Sequence, residues 1–277
     1  MRECLVWSTA VVMLCTLRAS AASSTPFQLG DQGGVIVPVF VNGIGPFRML
    51  LDTGSTHSAI TEAVAEAVRA RPVAQSQVIT PAGPALRAVA AVERLDVGPV
   101  AVDHLLPSIV SRDAFDRDGR IHGLIGQDVL SGLRYTLDFR ERRVEWHDRA
   151  ASHDGTKLRM EFEHGRFLVA LPQDGCTLRL VPDSGAGVFV LFDPRAGAGL
   201  DLVERQATVE LWSADLTHTA REVRVPQLRV GDRTLRNVRA VTVDRVDRHP
   251  SEGDGLLPLH LFDRVTFDGP AQELILR

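Results

Sequence analysis

One short motif occurs twice in this chain. Leu50-Leu51-Asp52-Thr53-Gly54-Ser55 lies in the first half, and Leu180-Val181-Pro182-Asp183-Ser184-Gly185-Ala186 lies in the second. Each is an Asp-Thr/Ser-Gly turn entered from an apolar, strand-like run. A repeat of this kind constrains the fold more than any local propensity does, because it implies two copies of one structural unit. It also constrains the chemistry. Two carboxylates, one from each half, are the parts needed for a pair that shares a single proton, which activates water without a metal or a nucleophilic side chain.

The repeat extends beyond the turns. Gly34 precedes Asp52 by 18 residues, and Gly165 precedes Asp183 by 18. Each glycine opens an apolar run, Val35 to Val41 and Phe167 to Leu171. A turn pair follows each run, Asn42-Gly43 and Asp174-Gly175, as in a hairpin. Downstream, Leu95-Asp96-Val97-Gly98 is matched by Leu228-Arg229-Val230-Gly231. Gly123-Leu124-Ile125-Gly126 is matched by Gly255-Leu256-Leu257-Pro258. Each half closes on Tyr135-Thr136-Leu137-Asp138-Phe139 or Val265-Thr266-Phe267-Asp268-Gly269. A unit of this size is a lobe rather than a solenoid repeat. The expected layout is a first lobe over 26–148 and a second over 158–277, joined through the polar stretch from Asp148 to Lys157.

The N-terminus has the form of an export signal over residues 1–21. Arg2 precedes an apolar stretch from Leu5 to Leu17, and Ala19-Ser20-Ala21 offers small residues for cleavage. The stretch is short for a membrane span. The expected location is periplasmic or secreted, with membrane anchoring if the signal is retained. Cleavage removes Cys4 and Cys15 and leaves only Cys176, so stability rests on the two cores rather than on a disulfide. Little then precedes the first strand, which leaves no room for a long inhibitory pro-segment. The formal net charge of −4 and the scattered arginines argue against a nucleic-acid partner.

Between the landmarks, short runs of Val, Ile, Leu and Phe are punctuated by Gly, Pro and Asp, the pattern of an all-β chain. Helix is expected from Glu62 to Arg71, ended by Pro72, and again through Gln127-Asp128-Val129-Leu130. Leu200 to Val203 is a weaker helical candidate. Arg112 to Arg120 is expected to be a surface loop.

These turns, each followed some 70 residues later by a glycine-bearing apolar segment, resemble the pepsin–retropepsin clan of aspartic proteases. The short lobes and the presence of both in one chain are similar to bacterial single-chain retropepsin-like proteins with a signal peptide. The resemblance implies an all-β, bilobal acid-protease fold with two similar β-barrel-like lobes and a cleft between them. It implies Asp52 and Asp183 as the catalytic pair, cross-linked through the hydroxyls of Thr53 and Ser184. Gly54 and Gly185 let backbone amides approach the carboxylates. Ser55 is expected to bond the outer oxygen of Asp52. Ala186 has no hydroxyl to do the same for Asp183, so Asp183 is expected to hold the proton more tightly and the activity optimum to lie nearer neutral. A glycine-bearing hairpin, Thr80-Pro81-Ala82-Gly83-Pro84, is the candidate flap, centred on Gly83, with a counterpart near Trp212-Ser213-Ala214-Asp215.

Three residues depart from the clan's pattern. Pro182 stands before Asp183 and lacks a backbone donor. Pro258 stands where the first half has Gly126. The only tyrosine, Tyr135, lies in a terminal strand rather than in a flap. The expected function is an aspartic endopeptidase acting on peptide or protein substrates as a monomer, with no cofactor and no metal. The nine histidines show no His-Glu-x-x-His spacing, and no Gly-x-Ser-x-Gly elbow occurs. Two alternatives stay open: a non-catalytic peptide-binding protein with a degenerate bilobal fold, and a homodimer in which only the first lobes pair.

Overall fold

A computed structural model describes residues 23–277, apart from 81–82, 117, 151–153, 194–196, 198, 214–215 and 244–252. For 78–80, 83–84, 206, 208–213 and 216–219 it describes the backbone only. The expected export signal lies outside the described residues.

The alternation of apolar and polar residues becomes strands with one buried face. Val35, Val37, Val39 and Val41 point into the first core, and the strand Val35–Val41 turns at Asn42-Gly43 into Ile44–Leu51. The downstream strand Gly123–Ile125 then slots in parallel to Ile44–Leu51, with Leu124 opposite Leu50 and Ile125 opposite Leu51. Its other edge pairs antiparallel with Ala59–Thr61. The turn at Asp52 is thus fed by the central strands of its sheet.

The second half repeats this arrangement. Arg166–Gln173 turns into Cys176–Asp183, and Gly255–Pro258 runs parallel to the latter, with Val181 opposite Leu256 and Asp183 opposite Pro258. Phe189–Leu191 occupies the place of Ala59–Thr61. The halves differ in their hairpins. The first uses two separate ones, Pro72–Thr80 with Gly83–Ala90 and Val92–Val97 with Val100–Leu105. In the second, the long strands Val203–Ser213, Leu216–Val230 and Arg233–Thr242 do the work of both.

The halves are joined by a six-stranded antiparallel layer. The first half supplies Ser23–Pro26, Arg143–Trp146 and Arg134–Asp138, and the second supplies Arg264–Asp268, Glu273–Leu276 and Thr156–Glu163. The two closing strands of the repeat pair directly, Thr136 opposite Thr266, with their hydroxyls 2.8 Å apart. Tyr135 stacks on Phe267 at a centroid distance of 5.0 Å beneath this layer. Each such fully buried aromatic contributes about 1.5–3 kcal/mol of transfer free energy. The turn glycines Gly98 and Gly231 both have positive φ, +57° and +62°, where an L side chain is strained. A side chain there would also strike Thr25 in one case and Thr156 in the other. The duplication therefore extends to the packing around its turns. The fold is all-β and two-lobed, with a core cluster running through both halves.

Two expectations change. The first helix is Glu62–Ala67 rather than reaching Arg71. Arg69 has φ +53° and Ala70 N–H closes onto the Ala65 carbonyl, so the chain is already turning. Proline at 72 steers the residue before it towards extended backbone. No helix forms at Leu200–Val203. Asp201 has φ +49°, incompatible with a right-handed helix, and Val203 opens a strand. Helix Gln127–Leu130 and the non-helical, non-strand course of 112–116 and 118–120 match expectation.

Candidate active site

The two Asp-Thr/Ser-Gly turns meet at the junction of the lobes. Each turn holds the other through its hydroxyl. Thr53 Oγ1 donates to the Pro182 carbonyl at 2.7 Å and accepts from Ser184 N–H at 2.9 Å. Ser184 Oγ accepts from Thr53 N–H at 3.1 Å and donates to the Leu51 carbonyl. Four hydrogen bonds, all between residues about 130 positions apart, thus link the turns. Thr53 and Ser184 are buried, so each unmade bond would leave a polar group without water.

Within each turn the carboxylate curls back onto its own backbone. Asp52 Oδ1 accepts from Gly54 N–H at 3.0 Å and Ser55 N–H at 3.1 Å. Asp183 Oδ1 accepts from Gly185 N–H at 2.7 Å and Ala186 N–H at 3.2 Å. The glycines are required by crowding rather than by φ. A Cβ on Gly54 would lie 2.5 Å from Asp183 Oδ2, and one on Gly185 would lie 3.0 Å from Asp52 Cγ. Each glycine is therefore the floor beneath the opposite carboxylate. The two carboxyl groups face each other within hydrogen-bonding range.

Their electrostatics are unequal. Burial is the main cause that raises Asp183, followed by the charge of Asp52, and together they push it up to about 8. Burial also raises Asp52, but the Gly54 and Ser55 amides, a hydrogen bond with Asp183 and the positive charge of Arg166 pull it back down. Asp183 is the more enclosed of the two, with 6% exposure. Deeper burial of Asp183 favours the expected order of proton affinity, but the expected cause is absent. Ser55 Oγ donates to the His57 carbonyl at 2.9 Å instead of to Asp52. The asymmetry comes from burial and charge, not from a hydroxyl present on one side only.

The segment behind each turn also differs. In the first half, Gln127 Nε2 donates to the Thr53 carbonyl at 2.7 Å, and Asp128 accepts from the N–H and hydroxyl of Ser58. Gly126 is required there because a Cβ would lie 2.7 Å from the His57 carbonyl carbon. In the second half, Pro258 leads into the 3-10 turn Leu259–Leu261, which carries His260, whose buried Nδ1 makes no hydrogen bond among the described residues. Its ring lies against Gly33 of the first half. Pro182 is accommodated. The register with Arg166–Gln173 ends at Val169 opposite Leu180, and the Pro182 carbonyl is a partner of Thr53.

Gly83 pairs with Thr80 at the end of the hairpin Pro72–Thr80 and Gly83–Ala90, while 81–82 at its tip lie outside the described residues. The counterpart hairpin pairs Ser213 with Leu216, with 214–215 and the Trp212 side chain likewise outside them. Cys176 is a free thiol at the far end of its strand from Asp183. Sequence reasoning missed Arg166. Its only signal was its place directly after the repeat glycine Gly165, where the first half has Val35.

Among the described residues no group of three or more His, Cys, Asp or Glu is placed to hold a metal. The chain was also compared with known proteins. A family model described as aspartyl protease matches residues 37–129 and 169–260, together more than half of the chain. Each matched segment contains one of the two turns. No curated protein matches the chain.

Proposed function

We propose that this chain, which belongs to the aspartyl protease family, is an aspartic endopeptidase that cleaves peptide bonds with water activated by Asp52 and Asp183. The observation that carries the reading is the pair of facing carboxyls, each held by two backbone amides in turns that grip one another. Two buried carboxyls in this relation cannot both ionise readily, so the pair holds one proton and titrates as a unit. Asp183 holds that proton, because it is the more deeply buried and lies next to the charge of Asp52. Asp52 takes a proton from water as the oxygen attacks the scissile carbonyl. Asp183 donates to the carbonyl oxygen as negative charge develops there. Departure of the amine needs a proton on its nitrogen, which the newly protonated Asp52 supplies, while a hydroxyl of the collapsing diol returns its proton to Asp183 and restores the singly protonated pair. No metal or other cofactor enters these steps.

Both turns come from one chain, so the working unit is a monomer. The substrate is an extended peptide lying between the lobes, covered by the hairpin that carries Gly83. The N-terminal pattern of residues 1–21 favours an exported enzyme, periplasmic or secreted.

The active state, with one proton on the pair, exists between the raised value of Asp52 and the value near 8 of Asp183. Activity is expected to rise above the ordinary carboxylate range and to fall as pH passes about 8. A profile confined to strongly acidic pH would contradict this. The decisive experiment is digestion of a diverse peptide library by the wild type, Asp52→Asn and Asp183→Asn. Cleavage by the wild type that disappears in both variants supports the endopeptidase. Tight peptide binding without cleavage by any of the three supports a non-catalytic peptide-binding protein instead. Activity retained in Asp183→Asn points to pairing of first lobes in a dimer.

A further inference from the structure

A peptide unit is planar, so a carbonyl and the N–H of the following residue turn together. The Thr53 carbonyl and the Gly54 N–H form one such unit. Its N–H end donates to Asp52 Oδ1 at 3.0 Å, and its carbonyl end accepts from Gln127 Nε2 at 2.7 Å. The matching unit in the other turn is the Ser184 carbonyl with the Gly185 N–H. There the N–H donates to Asp183 Oδ1 at 2.7 Å, and the carbonyl accepts from the Val35 N–H at 3.0 Å. Both planes are thus gripped at both ends. The anchor on the Ser184 carbonyl is main chain and comes from the opposite lobe. The anchor on the Thr53 carbonyl is a side chain of its own lobe.

Gln127 is 1% exposed and opens the helix Gln127–Leu130. Its own N–H donates to the Ser55 carbonyl at 2.9 Å, and the Gly126 N–H before it donates to Ser58 Oγ at 3.1 Å, so its backbone is fixed to the segment that carries Asp52. A carbonyl can only accept, which sets the carboxamide with its nitrogen towards Thr53. Its Oε1 is sealed from solvent and meets no polar partner among the described residues. The carboxamide is therefore kept at the cost of an unsatisfied buried acceptor, which a residue needed only for packing would avoid. The second half shows the apolar alternative. Leu259, fully buried, stands directly after Pro258 as Gln127 stands after Gly126. Filling this place does not demand an amide.

We propose that Gln127 is a positioning residue for Asp52, locking the Thr53–Gly54 peptide plane so that the Gly54 N–H points at the carboxylate. A hydrogen bond accepted at the carbonyl also polarises the N–H at the other end of the unit, which strengthens its bond to Asp52. Without the anchor the plane is free to rotate, and the carboxylate loses one of the two amides that aim it. The Asp183 turn is insensitive to the same change, because its plane is held by the Val35 main chain. This rests on the endopeptidase reading for its effect on turnover but not for its effect on the turn.

The test is kcat and KM for the wild type, Gln127→Met and Gln127→Leu, with amide hydrogen exchange on the same proteins. Methionine keeps the length and bulk and removes the donor. Leucine installs the side chain that the second half uses. Both should lower kcat by roughly 10- to 100-fold with KM little changed. The Gly54 N–H should exchange faster in each, while Gly185 and Ala186 keep their wild-type protection. A residue that merely packed would lower the yield of folded protein and leave both the kcat of the folded molecules and this local pattern as they were. A wild-type kcat in folded Gln127→Met, or unchanged exchange at Gly54, overturns the proposal. The unaltered protein supplies a reading that stands even if neither variant folds. The Gln127 carboxamide protons should exchange slowly, and rapid exchange overturns the proposal. Absence of any cleavage by the wild type, with the expected exchange at Gly54, would count against the endopeptidase reading alone.

Discussion

The two Asp-Thr/Ser-Gly turns share a backbone and differ in their surroundings. Around Asp52 the supports are polar. Gln127 donates to the Thr53 carbonyl, Ser58 and Asp128 tie the following loop together, and Arg166 supplies charge from across the junction. Around Asp183 the supports are proline and burial. Pro182 precedes it, Pro258 lies opposite it, and a hydroxyl-free Ala186 follows in the turn. Duplication thus supplied a symmetric scaffold, while divergence of flanking residues made two different acids out of one motif. Symmetry is retained where geometry is needed, in the amide pairs and crossed hydroxyls. It is lost where unequal proton affinity is useful.

The largest effects should come from removing either acid. Asp52→Asn and Asp183→Asn should each lower kcat by roughly 10³-fold or more in the library assay, since groups that act as a unit fail together. Survival of activity in one of them would break the comparison by making the halves independent. Next come the floor glycines. Gly54→Ala should be more harmful than Gly185→Ala, because its Cβ would meet Asp183 Oδ2 at 2.5 Å whereas the other meets Asp52 Cγ at 3.0 Å. The expected cost of the former is about 1–3 kcal/mol of stability together with loss of activity, measured by chemical denaturation and turnover. Equal effects would mean the two sides relax alike.

The crossed hydroxyls come third. Thr53→Val and Ser184→Ala each leave buried partners unsatisfied and should each cost about 1–3 kcal/mol. Their double variant should cost less than the sum, because both share one network. The fourth prediction concerns pH. Asp183 binds its proton more tightly folded than unfolded, so its contribution is fully present below the unfolded value near 3.8 and is lost as pH rises through about 8. Asp183→Asn should therefore flatten the melting temperature between pH 4 and 8 and raise it at pH 8, by roughly 2–4 °C for each kcal/mol relieved. The smallest effect is expected for Ser55→Ala. Its hydroxyl serves the His57 carbonyl, so the acid limb should stay where it is, and a clear upward movement would restore the hydroxyl as a source of the asymmetry.

Much of this was legible in the linear chain because its causes are local. Alternating Val and Ile runs form half-buried strands, Asn-Gly and Asp-Gly close hairpins, and an Asp followed by Thr/Ser-Gly makes a turn whose amides reach back to the carboxylate. The repeat of those features at matched spacing determined two lobes, a pair of acids and the hydroxyls that join them. The helix at Leu200–Val203 was misjudged because a short apolar stretch carries no clear period, and Asp201 there takes a positive φ. Only the tertiary structure decided which carboxyl is buried more deeply and that the Ser55 hydroxyl turns away to a carbonyl. Those outcomes depend on distances between residues more than a hundred positions apart, and on how much water the packed lobes exclude. Neither quantity is written in the order of the side chains.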